Sequence, residues 1–247
     1  MIKYIILGVV QGVTEFLPVS SSGHLVLLQK IFGLSGEEVA LSIILHLGTL
    51  VAVGIFFFKA ILKALRSPKM IFFIFVVTLI TGIIGFVAKD FLESLFSSVK
   101  FLPLAWVFTA GILFATKNYL SCKRDSLNIK DSIILGFTQA VAIIPGISRS
   151  GMTISTLLFR KLEVNTAFSF SFIVSLPAIL GAALLEARKI NFVIQENPVN
   201  LALGFISSLL TGLVSLWLLK KVLVQAKFHY FAYYCLTIAL ATFLFFR

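Results

Sequence analysis

The chain has 247 residues, 59% of them hydrophobic and only 13% charged, with a mean hydropathy of +1.06 and a formal net charge of +11. Soluble domains carry about 25% charged residues, so this composition excludes a soluble globular protein and predicts an integral membrane protein, best measured in spans of about 20 residues. No nucleic-acid motif accompanies the basic excess, which suits anionic lipid headgroups instead.

The first apolar stretch consists of two short runs, 4–14 and 16–29, joined near "LPVSSSG". Two half-helices linked by such a turn predict a re-entrant hairpin, tolerated at membrane depth only where it is buried in protein or lines a cavity. The first run lacks a small-residue cleavage site and carries polar residues of its own, so it reads as a retained segment and not as a signal peptide. Charge-free runs at 39–58, 70–88 and 101–116 follow, the last short enough to need Lys117 to snorkel. A second interrupted pair, 132–148 and 150–159, is joined near "IPGISRSG", and runs at 164–185, 197–219 and 228–246 complete the chain. The expected fold is an all-α polytopic membrane protein with six transmembrane helices and two re-entrant helical hairpins.

The two hairpins are copies. "ILGVVQGVTEFLPVSSSG" (6–23) aligns without a gap on "ILGFTQAVAIIPGISRSG" (134–151), with eight identities in eighteen positions at a constant offset of 128. A self-match at about half the chain length predicts one membrane domain built from two repeats, about 1–128 and 129–247. Three full spans separate the copies, an odd number, so the repeat is expected to be inverted.

Under this topology seven basic residues, among them Lys89, Lys100, Arg188, Lys189 and Arg247, fall on the side of the N-terminus. Thirteen fall on the other, including Lys59, Lys63, Arg66, Lys123, Arg124, Arg160 and Lys227, while Arg149 lies inside the second hairpin. The positive-inside rule then places both termini outside. Cys122 falls in a predicted cytoplasmic loop and Cys235 inside the last span, which argues against a disulfide or a cysteine metal site. His46, in the middle of the first full span, reads as a helix-packing histidine and His229 as an interfacial one. Pro103 and Pro198 mark helix starts, Pro18, Pro145 and Pro177 turns or kinks, and the glycines of 48–54 and 179–184 small-residue packing faces.

The polar residues of the hairpins stand out against this background. Gln11 and Glu15, four apart, project from one face of the first half-helix, and a carboxylate inside a membrane domain is costly enough to suggest function. Among Ser20, Ser21 and Ser22 at least one is expected only to cap the next half-helix. His24 follows just inside that half-helix. In the second hairpin Arg149 is flanked by Ser148 and Ser150 and followed by Gly151 and Thr153. A guanidinium at membrane depth needs an anion, either Glu15 or a ligand. Two half-helix N-termini with free N–H groups, an arginine and several hydroxyls describe an oxyanion site that suits phosphate better than carboxylate.

"QGVTEFLPVSSSGHL" and "PGISRSGMTI" closely resemble the two signature motifs of the undecaprenyl pyrophosphate phosphatase, or bacitracin-resistance, family of integral membrane phosphatases. The resemblance implies dephosphorylation of a polyprenyl diphosphate lipid to the monophosphate that carries cell-envelope precursors, in the bacterial plasma membrane. It assigns Glu15, Ser21, His24 and Arg149 to catalysis, and Gln11, Ser20, Ser22, Gly23, Ser148, Ser150, Gly151 and Thr153 to substrate binding. The family's first motif often begins with glutamate, where this chain has Gln11, leaving Glu15 as the single acid to hold an expected Mg²⁺ or Ca²⁺, or else to orient His24. Arg149 and its serines would hold the diphosphate, Ser21 would be nucleophile or phosphate ligand, and His24 general acid or base. Direct attack by water stays open, as does a homodimer. The rival reading is a polyprenyl-phosphate flippase or another inverted-repeat transporter, which would use the same pocket without hydrolysis.

Overall fold

The computed structural model describes residues 1–32, 38–96, 98–119, 124–187 and 197–246. Cys122, Lys123, Arg188, Lys189 and Arg247 therefore lie outside the described residues. Among those described, the chain is helical, with one isolated bridge between Arg124 and Leu162. In chain order the helices are α1 (Ile2–Phe16), α2 (Ser21–Phe32), α3 (Glu38–Phe56), α4 (Phe58–Leu65), α5 (Pro68–Val87), α6 (Lys89–Phe96), α7 (Leu102–Ala115), α8 (Ile129–Val141), α9 (Arg149–Phe159), α10 (Val164–Ala187), α11 (Pro198–Val224) and α12 (Phe231–Phe245).

Among the described residues, five helical segments are long and apolar enough to cross a membrane, or six if one bent pair counts as a single span. That pair is α3 and α4, between which the chain turns by 78° at the end of the run expected to span at 39–58. The break falls at Phe57, where the apolar run gives way to Lys59, Lys63 and Arg66. The run at 101–116 is rescued from being too short by 3₁₀ turns at both ends, giving a continuous segment Val99–Tyr119 of 21 residues, about 31 Å at helical rise.

Local chemistry sets several of these boundaries. Ser67 accepts the Met70 N–H ahead of Pro68 at the start of α5, and Asn197 accepts the Val199 N–H ahead of Pro198 at the start of α11. Both pair an N-cap with a proline whose missing N–H costs nothing there. Pro177, expected to turn or kink the chain, lies inside the continuous helix α10. A capping box of Asn128 and Asp131 opens α8.

The buried Asp131 carboxylate also takes a bidentate pair of bonds from Arg124, at 2.8 and 2.9 Å, and a third from Arg160 Nε at 2.8 Å. Two cations counted in the sequence as surface charge thus tie the segment before α8 to the end of α9. Burial pushes the Asp131 carboxyl up, but the Arg124 and Arg160 donors outweigh it and hold it below the usual aspartate value.

The packing has a reciprocal pattern. Helix α1 lies against α11 while α8 lies against α5; α3 meets both α10 and α11, and α7 meets α12. The α1–α11 contact depends on missing side chains: a Cβ on Gly12 would stand 2.5 Å from the Ser208 carbonyl oxygen and 2.0 Å from Thr211 Oγ1. Of the glycines expected to form packing faces, Gly48 does abut α11, whereas Gly54 and Gly181 face open space. Large apolar side chains such as Phe72, Phe75, Phe86, Leu184, Trp217 and Leu240 point outward, as a lipid-facing surface requires. The interior packs around Phe16, Trp106, Phe170 and Phe172, beside the place where the two hairpin turns meet.

Candidate functional site

The turn between α1 and α2 and the turn between α8 and α9 are in direct contact. The Gly146 N–H donates to Ser20 Oγ at 3.1 Å, and the Ser150 hydroxyl donates to the Leu17 carbonyl at 3.3 Å. Gly146 has φ +89°, in the left-handed region, and a Cβ on Gly23 would come within 2.9 Å of its Cα, so the two backbones approach as closely as glycine permits. Helix α7 clamps both turns: Trp106 Nε1 donates to the Val19 carbonyl, while Thr109 donates to the Gly146 carbonyl and accepts from the Ser148 N–H.

The repeated serines divide into two kinds. Ser20 and Ser148, equivalent at the offset of 128, are buried helix caps, accepting the N–H of Gly23 at 3.3 Å and of Gly151 at 3.1 Å. Ser20 performs this with φ +69°, a strained value for a residue with a side chain. Ser22 and Ser150 lean back on those caps, at 3.2 and 3.3 Å. Gly151 is pressed between Ser148 and Pro18, and the Thr153 hydroxyl is spent on the Arg149 carbonyl and on Ser171. Ser20, Gly23, Ser148, Gly151 and Thr153, expected to bind substrate, thus have their hydroxyls or the space beside them taken up by contacts within the protein.

Glu15 is the centre of what remains. Arg149 Nη2 donates to its Oε1, while Oε2 accepts from Ser21 Oγ at 2.6 Å and from Gln11 Nε2 at 3.1 Å. Of the three consecutive serines, Ser21 alone has a hydrogen bond to the carboxylate, and it is half-buried where Ser20 is enclosed. The Arg149 guanidinium also lies over the Phe172 ring, 5.6 Å from its centroid, and its buried Nη1 finds no protein acceptor. Arg149 opens α9 and Ser21 opens α2, so the unpaired donor stands beside two helix N-termini.

His24 does not take part in this cluster. Its Nδ1 is 2.7 Å from the Ser20 carbonyl and its Nε2 is 2.7 Å from the Tyr234 hydroxyl, with the ring stacked on Tyr234 and edge-on to Trp106. Both nitrogens are engaged away from Ser21, which corrects the expectation that His24 serves Ser21 or is oriented by Glu15. The histidine beside the carboxylate is His46, whose Nε2 is 3.8 Å from Glu15 Oε2. The sequence reading of His46 as a helix-packing residue does not anticipate this neighbour, though an ionisable side chain in mid-span is itself a signal for one.

The residues present offer a divalent cation a single carboxylate. Ca²⁺ takes six to eight oxygen ligands, and Mg²⁺ is bound through one or two carboxylates with waters and substrate phosphates; here the one carboxylate has a guanidinium on one oxygen and neutral donors on the other. Among the described residues no group of three His, Cys, Asp or Glu side chains could hold a metal. Where a second acid would help, Gln11 presents an amide whose buried Oε1 finds no partner.

A profile of the Bacitracin resistance protein BacA family matches residues 4–241. The chain belongs to that family. Among its relatives, a Thermotoga petrophila protein named undecaprenyl-diphosphatase is 40% identical over 244 residues, covering 97% of this chain and 98% of the relative. A Carboxydothermus hydrogenoformans protein of the same name is 42% identical, covering 93% and 91% of the two chains. One from Methanobrevibacter smithii is 33% identical, covering 99% and 97%. Family membership thus extends over the whole arrangement of helices, well beyond the two polar turns.

Proposed function

We propose that this protein removes the terminal phosphate of undecaprenyl diphosphate, giving undecaprenyl phosphate and inorganic phosphate and so recycling the lipid carrier of cell-wall synthesis. The observation that carries this reading is the buried, unpaired Nη1 of Arg149 beside the Ser21–Glu15 pair, in a chain whose relatives are named for that reaction. Arg149 and the N–H groups opening α2 and α9 supply donors for the phosphate oxygens and for the charge that develops during transfer. Glu15 aligns Ser21, whose oxygen, or a water held in its place, attacks phosphorus. An apolar groove of about 460 Å³, lined by Val13, Leu17, Leu218, Val222, Phe231 and Tyr234, runs beside the first turn and suits an isoprenoid tail.

The same reading takes α1–α2 and α8–α9 as re-entrant hairpins entering from opposite faces, and α3, α5, α7, α10, α11 and α12 as the six spans. The reciprocal packing of α1 on α11 and of α8 on α5 supports two inverted repeats in one membrane domain. Both termini would face outward from the plasma membrane. The residues around Glu15 all come from one chain, so the reading needs no second copy. Purified protein in detergent should release inorganic phosphate from a polyprenyl diphosphate and leave the monophosphate intact. Binding without release would favour a carrier of the phosphorylated lipid.

A further inference from the structure

We propose that His46 is the proton-accepting residue of this site: its Nε2 takes the proton of the attacking oxygen and passes it to the departing phosphate. The inference rests on the phosphatase reading above and adds a residue that neither signature motif contains. His46 Nδ1 lies 2.8 Å from the Ser42 carbonyl oxygen. A carbonyl can only accept, so Nδ1 carries the hydrogen, and in the neutral ring Nε2 holds the lone pair. That lone pair faces the site, 3.8 Å from the Glu15 oxygen that also accepts from Ser21, and the side chain keeps 28% of its surface exposed.

His24 is the opposite case. Its Nδ1 is likewise fixed by a carbonyl, that of Ser20, but its Nε2 lone pair lies at hydrogen-bonding distance from the Tyr234 hydroxyl. A base must have a free acceptor beside the proton it abstracts; His24 has none, whereas His46 Nε2 lies next to the Glu15 oxygen that accepts from Ser21. Gln11 cannot take a proton, and Glu15, which accepts from Ser21 on Oε2, is engaged by the Arg149 guanidinium on Oε1.

In the step, the attacking oxygen, of water or of Ser21, bonds to the terminal phosphorus as the anhydride P–O bond breaks; a phosphoserine formed by Ser21 is then cleaved by water, whose attack on phosphorus breaks the Ser21 Oγ–P bond and releases inorganic phosphate. The bridging oxygen leaves with the electron pair on the polyprenyl monophosphate. The proton released from the attacking hydroxyl moves to His46 Nε2 and then to an oxygen of the leaving phosphate. The imidazolium formed in between faces the Glu15 carboxylate, which offsets its charge.

The test compares wild-type, His46→Ala, His46→Gln and His24→Ala full-length protein in phosphate release from a polyprenyl diphosphate, with free imidazole as a second variable. Inactive wild-type protein would refute the phosphatase reading that this inference presupposes. With active wild type, both variants should lose about 10²- to 10⁴-fold in kcat with KM little changed, and imidazole should restore part of the His46→Ala rate in proportion to its concentration. His46→Gln keeps a hydrogen-bonding side chain of similar size, so it decides the matter if His46→Ala does not fold. A His46→Gln enzyme within tenfold of wild-type kcat would overturn the proposal, as would imidazole rescue confined to His24→Ala.

Discussion

Three neighbouring hydroxyls with three different environments make the serines a sharp test at the scale of single residues. If Ser21 attacks phosphorus, Ser21→Ala should lower kcat by several orders of magnitude with KM changed much less. If Ser21 only binds phosphate, the loss should be roughly 10- to 150-fold, the worth of one hydrogen bond to a charged group. Ser20→Ala should instead cost about 1 kcal/mol of stability, read as a lower melting temperature, because Ser20 caps α2. Arg149→Lys should abolish most phosphate release while the protein stays folded, since lysine cannot both hold Glu15 and present a second, fixed donor. Gln11→Glu would place a second carboxylate 3.1 Å or so from the first, creating an acid pair able to hold a divalent cation without substrate. That variant should melt lower than wild type in chelator and recover with Mg²⁺, whereas wild type should respond to neither. The two motifs made Glu15, Ser21 and Arg149 legible in the sequence, because each is a costly group with few alternatives. The partner of each was not legible: whether a histidine faces a carboxylate or a phenol depends on helix rotation, and neither His24 nor His46 advertises that in its neighbours.

Elements are held in register by polar groups at their ends more than by their interchangeable apolar faces. Asp131 is the clearest case, joining the start of α8 to Arg124 and Arg160. Asp131→Asn should destabilise the protein by about 3 kcal/mol, the low end for a broken buried pair, because both arginines keep about a third of their surface in water. The sign of the pH dependence follows from the lowered folded-state value. The stabilisation is present in full above the ordinary aspartate value of about 3.9 and is lost as pH falls through the lower folded value. The melting-temperature gap between wild type and Asp131→Asn should therefore be constant near neutrality and narrow only below about pH 4. The hydropathy pattern located every long helix, since a bilayer forces apolar residues into runs. It could not show the 78° bend at Phe57, where the residues on both sides of the break are aromatic and the basic residues come only afterwards.

On the scale of the whole molecule, the two proposed repeats contribute unequal parts to one site. At the offset of 128 the equivalent of Ser21 is Arg149 and that of Glu15 is Ile143, so one copy contributes the acid and hydroxyl and the other the guanidinium. Gln139, the counterpart of Gln11, bonds Thr81 instead. The proposed topology can be read by labelling in a background without Cys122 and Cys235. Cysteines at the exposed positions Lys63 and Asp125 should react only from the cytoplasm, and cysteines at Asp90 or appended after Arg247 only from outside. Reaction of Lys63→Cys and the C-terminal cysteine from the same side would refute the six-span arrangement.

The pairing of Glu15 with Arg149 also has a temporal side. The ribosome makes the carboxylate long before the guanidinium, and at about 5–20 residues per second the interval is on the order of ten seconds. During that time the acid of the first hairpin has Gln11, Ser21 and His46 beside it but lacks its guanidinium, and such a carboxylate is costly in hydrocarbon. The native position of α1 and α2 is thus available only once α8 and α9 have been synthesised, and the earliest segment of the chain should be among the last to settle. A nascent chain halted before residue 129 should leave Ser22→Cys open to a water-soluble thiol reagent that the finished protein resists.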